Sequence, residues 1–458
     1  MERSRNGRQT PSGRAPGTPP GPRARQRAVC VSATEDSADL SELKELLRTS
    51  GVAVVAELVQ RRDSPHPNLY LGPGKVEEVK RLVKAHDATV VACDDELTPR
   101  QQRNLEKELD LPVVDRTAVI LDIFAAHAHT AEGKLQVELA QLEYNLARMR
   151  GLWTHLERIG GGTALARGPG ETQIETDRRL ARSRIAALRR KLEDVKAVRG
   201  TQRQERERAH LPTVAIAGYT NAGKSTLLNA LTGSDVSVRD RLFHTLDPTT
   251  RTLRLEGRKY LLTDTVGFIS KLPHQLVDAF AATLEETRLA DLILHVVDGS
   301  APEEELVEML EAVGDVLEDI GAGERPRLLV LNKADAMDDE RRRELSFRHP
   351  DGILVSARTG EGLDELGPAI AEEFERRMVD VEMLVPYADG ALVSELHDLA
   401  GDIGREDTDD GVRVRVRLLE PIAARFQRHR TDVPAPDPDG PQERGAAEAA
   451  SAPQHRAA

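Results

Sequence analysis

Residues 218–225 have the sequence GYTNAGKS, which fits the phosphate-binding pattern G-x-x-x-x-G-K-[ST]. A strand-like apolar run (212–217) precedes the motif, and a helix-like run (226–231) follows it. Glycines in such a loop let backbone N–H groups face phosphates, and the helix N-terminus adds partial positive charge at the same point. The motif therefore predicts an α/β P-loop domain. A glycine turn with a stray lysine is the weaker interpretation, because further parts of a nucleotide site follow in the right order.

The positions within this loop have distinct expected contacts. Lys224 would reach the β- and γ-phosphates, and the Ser225 hydroxyl would ligate Mg²⁺. Asn221 either caps the loop or helps to hold a K⁺ ion beside the phosphates, where a cation could replace an arginine finger. The motif predicts these nucleotide contacts: Gly218, Asn221, Ala222, Gly223, Lys224, Ser225 and Thr226.

A second motif, DTVG at 264–267, follows another strand-like run. Asp264 would hold Mg²⁺ through water, and the backbone N–H of Gly267 would approach the γ-phosphate. The next residue is Phe268, where many GTPases carry a glutamine that orients water. Because phenylalanine cannot hydrogen-bond water, intrinsic hydrolysis should be slow and should depend on a partner.

The tetrapeptide NKAD at 332–335 predicts the choice of base. The Asp335 carboxylate can accept two hydrogen bonds from guanine, whereas adenine presents no such pair of donors. Lys333 would lie along the base or sugar, and Asn332 would tie this loop to the P-loop. Backbone amides of the tripeptide Ser356, Ala357 and Arg358 would contact the guanine carbonyl.

A threonine between the P-loop helix and Asp264 should sense the γ-phosphate. We predict Thr245 as this sensor and as a second Mg²⁺ ligand beside Ser225, with Thr249 and Thr250 as alternatives. The surrounding segment is polar and contains proline, so it should reorder with the nucleotide state. Lys224, Thr245 and Gly267 are the predicted catalytic positions.

Composition bounds the class of protein. The chain has 458 residues, a net charge of −13 and only 3% aromatic residues, so several aliphatic cores are expected. An Arg-rich first segment and a Pro- and Ala-rich last segment resemble disordered tails. Neither a signal peptide nor a long apolar run is present in the sequence, and two cysteines cannot build a disulfide framework. We expect a cytoplasmic, monomeric protein that is not in a membrane.

Two regions precede the P-loop domain. In the first, strand-like runs (52–58 and 88–92) alternate with helical spacing (75–86 and 98–109), which predicts a small α/β unit with parallel strands. The turn GPGK at 72–75 invites comparison with a nucleotide loop. It lacks the following Ser or Thr, so a helix-entry turn is the favoured interpretation.

The second region carries two apolar seams at helical spacing, joined by a Gly-rich linker (160–173). They predict an antiparallel helical hairpin. Arginines line the linker and the second helix, which indicates either a solvated face or an RNA contact; we favour RNA. The first seam consists of Leu135, Leu139, Leu142, Leu146, Met149, Trp153 and Leu156, and the second of Ala181, Ile185, Leu188, Leu192 and Val195. The RNA-contact candidates are Arg167, Arg178, Arg179 and Arg182.

Together these segments resemble the HflX family of ribosome-associated GTPases, which belong to the translation-factor class. The most specific segment is GPGETQIETDRR at 168–179, at the hairpin loop and second helix. The resemblance departs from the family pattern at His127, at Ala131 and in the linker at 163–166. The other matching segments are VDRT (114–117), ILDIF (120–124), GKLQVELA (133–140), FHTLDPTTR (243–251) and DTVGFI (264–269).

The resemblance implies binding to the large ribosomal subunit and its rRNA in the GTP state, with the hairpin loop near the peptidyl transferase region. It implies ribosome splitting or rescue, or large-subunit maturation. Two alternatives remain: ATP-dependent rRNA remodelling by the N-terminal region, and a GTP-gated protein scaffold that does not bind ribosomes.

The expected fold is a P-loop GTPase domain preceded by a small α/β domain with the helical hairpin and followed by a small α+β domain. The predicted boundaries are a tail at 1–39, the α/β subdomain at 40–130, the hairpin at 131–210, the GTPase domain at 211–378, the C-terminal domain at 379–430 and a tail at 431–458.

Overall fold

A computed structural model describes residues 26–33, 39–149, 171–209, 211–234, 242–243, 248–255, 257–271, 281–401 and 403–431. Contacts divide the chain into two units. Of the described residues, those within 26–208, 212–253 and 261–363 form the first unit, and those within 209–211, 254–260 and 364–431 form the second. The P-loop and the N-terminal region thus belong to the same unit.

The N-terminal part of the first unit is a four-stranded parallel sheet in the order β2-β1-β3-β4, covered by helices. We call residues 27–127 the N-terminal layer. Gly72 is the N-cap of its second helix, so the GPGK turn is a helix entry. The layer consists of β1 (Arg27–Ser32), α1 (Ser41–Ser50), β2 (Ala53–Val59), α2 (Pro73–His86), β3 (Val90–Cys93), α3 (Pro99–Leu109), β4 (Val113–Asp115) and α4 (Arg116–His127).

The predicted boundary of the N-terminal tail at residue 39 is wrong. Arg27–Ser32 forms β1, which pairs with β2 on one side and β3 on the other. Its apolar residues, such as Val29 and Val31, are fully buried. The strand was missed because its six residues contribute little to the composition of the arginine- and proline-rich stretch that they follow.

Two long helices follow, α5 (Ala131–Arg148) and α6 (Glu171–Ala209). The seam predicted for α6 is buried at Ala181, Ile185, Leu188 and Leu192. The seam predicted for α5 is not its most buried face. Its leucines are half-buried, whereas Val137, Ala140 and Tyr144 are buried with the core of the N-terminal layer.

The buried face of α5 was predicted wrongly because the prediction followed the leucines. The residues that pack most closely are smaller ones and a tyrosine. The predicted linker also ends too late, since α6 begins at Glu171 rather than after Gln173. The predicted seam residues Trp153 and Leu156 and the linker residues 160–170 lie outside the described residues.

The P-loop part is a six-stranded sheet in the order β10-β9-β8-β5-β7-β6. The pairs β5–β7, β5–β8, β8–β9 and β9–β10 are parallel, so the carboxyl ends of these strands meet at one edge. The elements are β5 (Thr213–Gly218), α7 (Lys224–Thr232), β6 (Thr249–Leu255), β7 (Arg258–Asp264), α8 (Ala281–Leu289), β8 (Leu292–Asp298), α9 (Glu303–Asp319), β9 (Arg327–Asn332), α10 (Asp339–Arg348), β10 (Ile353–Leu354) and α11 (Leu363–Glu375).

The C-terminal part is an antiparallel three-stranded sheet in the order β11-β13-β12. One sheet face packs on helices through buried residues such as Met383, Val414 and Leu396. The other face carries ion pairs, including Arg415–Glu382 and Arg417–Asp380 across the strands. The elements are β11 (Met378–Val385), α12 (Gly390–Ala400), β12 (Gly404–Thr408), β13 (Gly411–Leu419) and α13 (Glu420–Arg425).

The predicted fold class is confirmed: along the chain, an N-terminal α/β layer with long helices is followed by a P-loop domain and then by a C-terminal α+β part. Both cysteines, Cys30 and Cys93, are buried free thiols. Within the described ranges, the helices are all too short or too polar to cross a membrane.

Candidate functional site

The P-loop leaves β5 and enters α7 through two glycines that allow no side chain. A Cβ at Gly218 would lie 2.1 Å from the carbonyl oxygen of Val296 on the neighbouring strand. Gly223 has a left-handed φ of 92°, and a Cβ there would lie 2.2 Å from Nδ2 of Asn332. These approaches explain the glycines of the motif, because they press the loop against β8 and β9 and leave its N–H groups for a ligand.

Lys224 is buried at the start of α7, and its Nζ donates to the carbonyls of Gly218 and Tyr219 at 2.9 and 2.7 Å. Burial lowers the pKa of Lys224 to about 8, and the Asp264 carboxylate opposes part of that shift. The ammonium group is therefore held at the opening of the loop. Negatively charged phosphates bound there would stabilise its protonated form and so oppose the effect of burial on its pKa.

The candidate metal ligands lie beside this lysine. The Ser225 hydroxyl donates to Oδ2 of Asp264 at 2.5 Å, so an alcohol and a carboxylate converge next to the phosphate loop. Hard oxygen donors of this kind suit Mg²⁺, which usually keeps several waters and binds phosphate oxygens. Across the described part of the chain, no group of three or more His, Cys, Asp or Glu side chains forms a metal site of its own.

Gly267 lies directly against the P-loop. A Cβ there would lie 2.7 Å from Cγ2 of Thr220 and 3.0 Å from Nζ of Lys224. The next residue, Phe268, pairs with the loop through its backbone, accepting from Thr220 N at 2.7 Å and donating to Gly218 O at 3.1 Å. The Phe268 ring is 1% exposed. A buried ring at this position supports the expectation that this residue does not orient the attacking water.

Asn332 connects three segments at the predicted base end of the site. Its Nδ2 donates to Ala222 O at 2.7 Å, and its Oδ1 accepts from Ala357 N at 3.0 Å. One amide thus joins the P-loop, the NKAD loop and the segment after β10. Lys333 has a left-handed φ of 67°, and its Nζ lies 2.6 Å from Oδ2 of Asp298.

Asp335 is held by two neighbours. Its Oδ1 accepts from the Ser356 hydroxyl at 2.5 Å, and Arg358 forms an ion pair with Oδ2. The Ser356 hydrogen bond and then the Arg358 charge lower the pKa of the Asp335 carboxyl. The carboxylate is therefore ionised near neutral pH, as an acceptor for two donors of a base must be.

Several predicted positions are not placed. Thr245 and Arg167 lie outside the described residues. The alternatives to Thr245 belong to β6, where the Thr250 hydroxyl lies 2.9 Å from that of Thr263. Asn221 is exposed with a φ of 60°, and Thr226 is half-buried in the first turn of α7.

The arginine candidates on α6 differ in exposure. Arg179 and Arg182 are exposed, and Arg178 is half-buried. Their neighbours Arg184 and Arg189 instead form ion pairs of 2.7 Å with Glu138 and Glu143 of α5. Among the described residues, these two arginines of the cationic stripe thus form ion pairs within the protein.

A polar cluster beside the P-loop was not predicted. It joins Tyr219 of the loop and Ser270 to Glu42 and Arg116 of the N-terminal layer. The local sequence around Glu42 gives no sign of this contact. An aromatic residue inside a phosphate loop was the one available signal, because its side chain must pack away from the nucleotide.

Four family models cover most of the chain. They are described as GTP-binding GTPase N-terminal (residues 37–125), GTP-binding GTPase Middle Region (127–206), 50S ribosome-binding GTPase (213–333) and HflX C-terminal domain (346–440). Their order follows the N-terminal layer, the long helices, the P-loop part and the C-terminal part.

Curated relatives are similar over nearly their whole length. A GTPase HflX of Lacrimispora saccharolytica is 47% identical over 400 residues, covering 87% of this chain and 93% of that protein. A GTPase HflX of Escherichia coli is 46% identical over 389 residues, covering 84% and 90%. A solved GTP-binding protein of Sulfolobus solfataricus in complex with GDP is 26% identical, covers 76% of this chain and 98% of that chain, and gives a TM-score of 0.41.

Proposed function

We propose that this chain, which belongs to the HflX family of GTPases, binds the large ribosomal subunit when GTP occupies the P-loop site. The chain binds GTP and is a GTPase, as the P-loop model and the HflX relatives show. The task that we infer for it is ribosome splitting and rescue, or maturation of the large subunit. Hydrolysis to GDP would then release the protein.

One observation carries the ribosomal part of this proposal. The family model that matches residues 213–333 is described as a 50S ribosome-binding GTPase, and it spans the P-loop, Asp264 and Asn332. The residues proposed to hold the phosphates and the metal therefore lie in the part of the chain with the ribosomal description, and Asp335 follows it directly. A nucleotide-gated partner is the natural use of such an arrangement.

The charge distribution supports contact with RNA. The protein has a net charge of −13, yet α6 exposes Arg179, Arg182 and Arg190. A local cationic face on an acidic protein attracts phosphate backbones through counterion release. We infer that this face, with Arg178 and Arg167, contacts rRNA.

The site residues fit a magnesium–triphosphate complex. Ser225 would ligate Mg²⁺, and Asp264, 2.5 Å from the serine hydroxyl, would hold it through water. We infer that Thr245 supplies a second ligand. Mg²⁺ would neutralise charge that develops on the phosphate oxygens.

Lys224, the backbone of Gly267 and the P-loop amides would position the γ-phosphate, while Asp335 selects guanine. A K⁺ ion next to Asn221 would add positive charge at the same phosphates. The buried Phe268 ring contributes no hydrogen bond to water. We infer that the large subunit orders the loops around the γ-phosphate and so completes the water-positioning machinery.

Steady-state GTP hydrolysis with and without purified large subunits tests this proposal. We expect stimulation of about a hundredfold or more, since a catalytic group supplied by a partner raises the rate by about 10³- to 10⁵-fold in related chemistry. Small subunits at equal concentration are the control. A protein that binds GTP but is not stimulated would contradict the proposal. Running the assay in KCl and in NaCl tests the K⁺ site, which predicts a faster rate in KCl.

A further inference from the structure

The Tyr219 side chain leaves the P-loop and ends in the N-terminal layer. Its hydroxyl donates to Oε1 of Glu42, in the first turn of α1, at 2.6 Å. The same oxygen accepts the backbone N–H of Ser270 at 2.7 Å. A phenol has one proton and spare lone pairs, so it can serve both partners at once. Burial and then Glu42 raise the pKa of Tyr219, which keeps the phenol protonated and able to donate.

Ser270 is bound to the same carboxylate by a second route. Its hydroxyl donates to Oε2 of Glu42 at 2.5 Å. Tyr219, Glu42 and Ser270 therefore close a small ring of hydrogen bonds. One member comes from the phosphate loop, one from the N-terminal layer and one from the segment that follows Gly267.

This ring lies at the end of a short strap, residues 267–270. The strap is held on the P-loop at Phe268, whose backbone pairs with Gly218 and Thr220. The phenol of Tyr219 provides a second attachment three residues beyond Gly267. Gly267 is so close to the P-loop that a Cβ built on it would lie 3.0 Å or less from P-loop atoms. A small movement of the strap therefore changes the position of the Gly267 N–H relative to the phosphate loop.

The carboxylate of Glu42 is itself fixed. Arg116, whose side chain is 3% exposed, forms an ion pair with Glu42 and donates to Asp94 Oδ1 and Ser270 O at 2.9 Å each. Separating a buried guanidinium from its acids is costly, so this arrangement is rigid. Lys271 continues the cluster with a 2.9 Å contact to Asp95 Oδ1.

We propose that Tyr219 is a positioning residue for the γ-phosphate. Its hydroxyl, oriented by Glu42, holds Ser270 and thereby keeps the N–H of Gly267 facing the place where a nucleoside triphosphate carries its third phosphate. A nucleoside diphosphate does not use this N–H. The same hydrogen bonds report the occupancy of the γ-phosphate position to the N-terminal layer. The inference rests on the GTP site and is independent of the ribosomal partner proposed above.

Equilibrium binding of fluorescent GDP and of a fluorescent non-hydrolysable GTP analogue to the full-length Tyr219→Phe variant tests this inference. Loss of one hydroxyl should weaken binding of the triphosphate by about fivefold or more, and change binding of GDP by less than about twofold. Tyr144→Phe is the matched control, because it removes a buried phenol that bonds to Asp115 at 2.8 Å in the same unit. We expect neither affinity to change in the control.

Glu42→Gln provides a second route to the same answer, and the double variant completes a cycle. If Tyr219 and Glu42 act as one unit, the double variant should be no weaker for the triphosphate than the worse single variant. Equal loss of both nucleotides in folded Tyr219→Phe would show a merely structural role. Unchanged triphosphate binding, or strict additivity with Glu42→Gln, would also overturn the inference. If Tyr219→Phe does not fold, Glu42→Gln tests the inference alone. Selective loss of triphosphate binding in that variant would support it, and equal loss of both nucleotides would overturn it. Since no ribosome is present, these outcomes leave the ribosomal proposal untouched.

Discussion

The Asp335 carboxylate is aligned before any base arrives, because Ser356 holds one of its oxygens and Arg358 the other. The Arg358 side chain is 76% exposed, so its ion pair with Asp335 can be broken at little cost in free energy when donors of guanine replace it. In the proposed role, Asp335 would select guanine through a fixed hydrogen bond to Ser356 and a displaceable ion pair with Arg358.

Replacing Asp335 with Asn should lower GTP affinity by about a hundredfold, since an amide nitrogen would face a guanine donor in a desolvated site. Xanthosine triphosphate, which carries a carbonyl where guanine has its exocyclic amine, should gain affinity. Competition of GTP, xanthosine triphosphate and ATP against a fluorescent nucleotide measures this. Retained preference for GTP would contradict the assignment of Asp335. ATP turnover that survives the change would instead support the ATP-dependent alternative for the N-terminal region.

At this scale the sequence predicted what is local. The P-loop, DTVG, NKAD and the Ser356 tripeptide each lie within a few residues, and the structure brings the described ones to one edge of the sheet. The hydrogen bond between Tyr219 and Glu42 joins positions 177 residues apart, and no sequence pattern marks Glu42 as the partner of the tyrosine. Such a contact depends on how the N-terminal layer packs on the P-loop, which local sequence does not encode.

Among the elements, α6 shows how two faces of one helix are used. Its apolar seam is buried at Ile185 and Leu188, while Arg179 and Arg182 are exposed. The 3.6-residue period predicted the seam because strong apolar residues recur on one side. It failed for α5, where Ala140 and Tyr144 form the buried face. The strand β1 was missed for another reason, because its six residues lie next to a stretch whose composition resembles a tail.

Replacing Arg178, Arg179 and Arg182 with Ala should weaken binding to the large subunit. It should also reduce the number of counterions released on binding, which is read from the slope of log K against log[KCl], by about two. Binding measured over a series of KCl concentrations gives both quantities. The control removes three other exposed arginines, Arg376, Arg405 and Arg425, with the same change in charge. An unaltered salt slope in the α6 variant, or an equal effect in the control, would remove the RNA contact from the account.

Across the whole molecule, the nucleotide site and the N-terminal layer share one unit, and that unit also holds the exposed arginines of α6. The phosphate end of the site is in contact with the N-terminal layer through Tyr219 and Ser270. Nucleotide chemistry and the surface proposed to meet RNA are therefore connected within a single packed body. This is the physical basis for expecting that GTP, and not GDP, prepares the protein for its partner.

Co-sedimentation of the protein with purified large subunits, in the presence of a non-hydrolysable GTP analogue or of GDP, tests the central claim most directly. The account predicts at least about tenfold tighter binding with the triphosphate, because only that ligand can engage the N–H of Gly267. Equal binding in the two nucleotide states would contradict a GTP-gated ribosomal role and would favour the scaffold alternative.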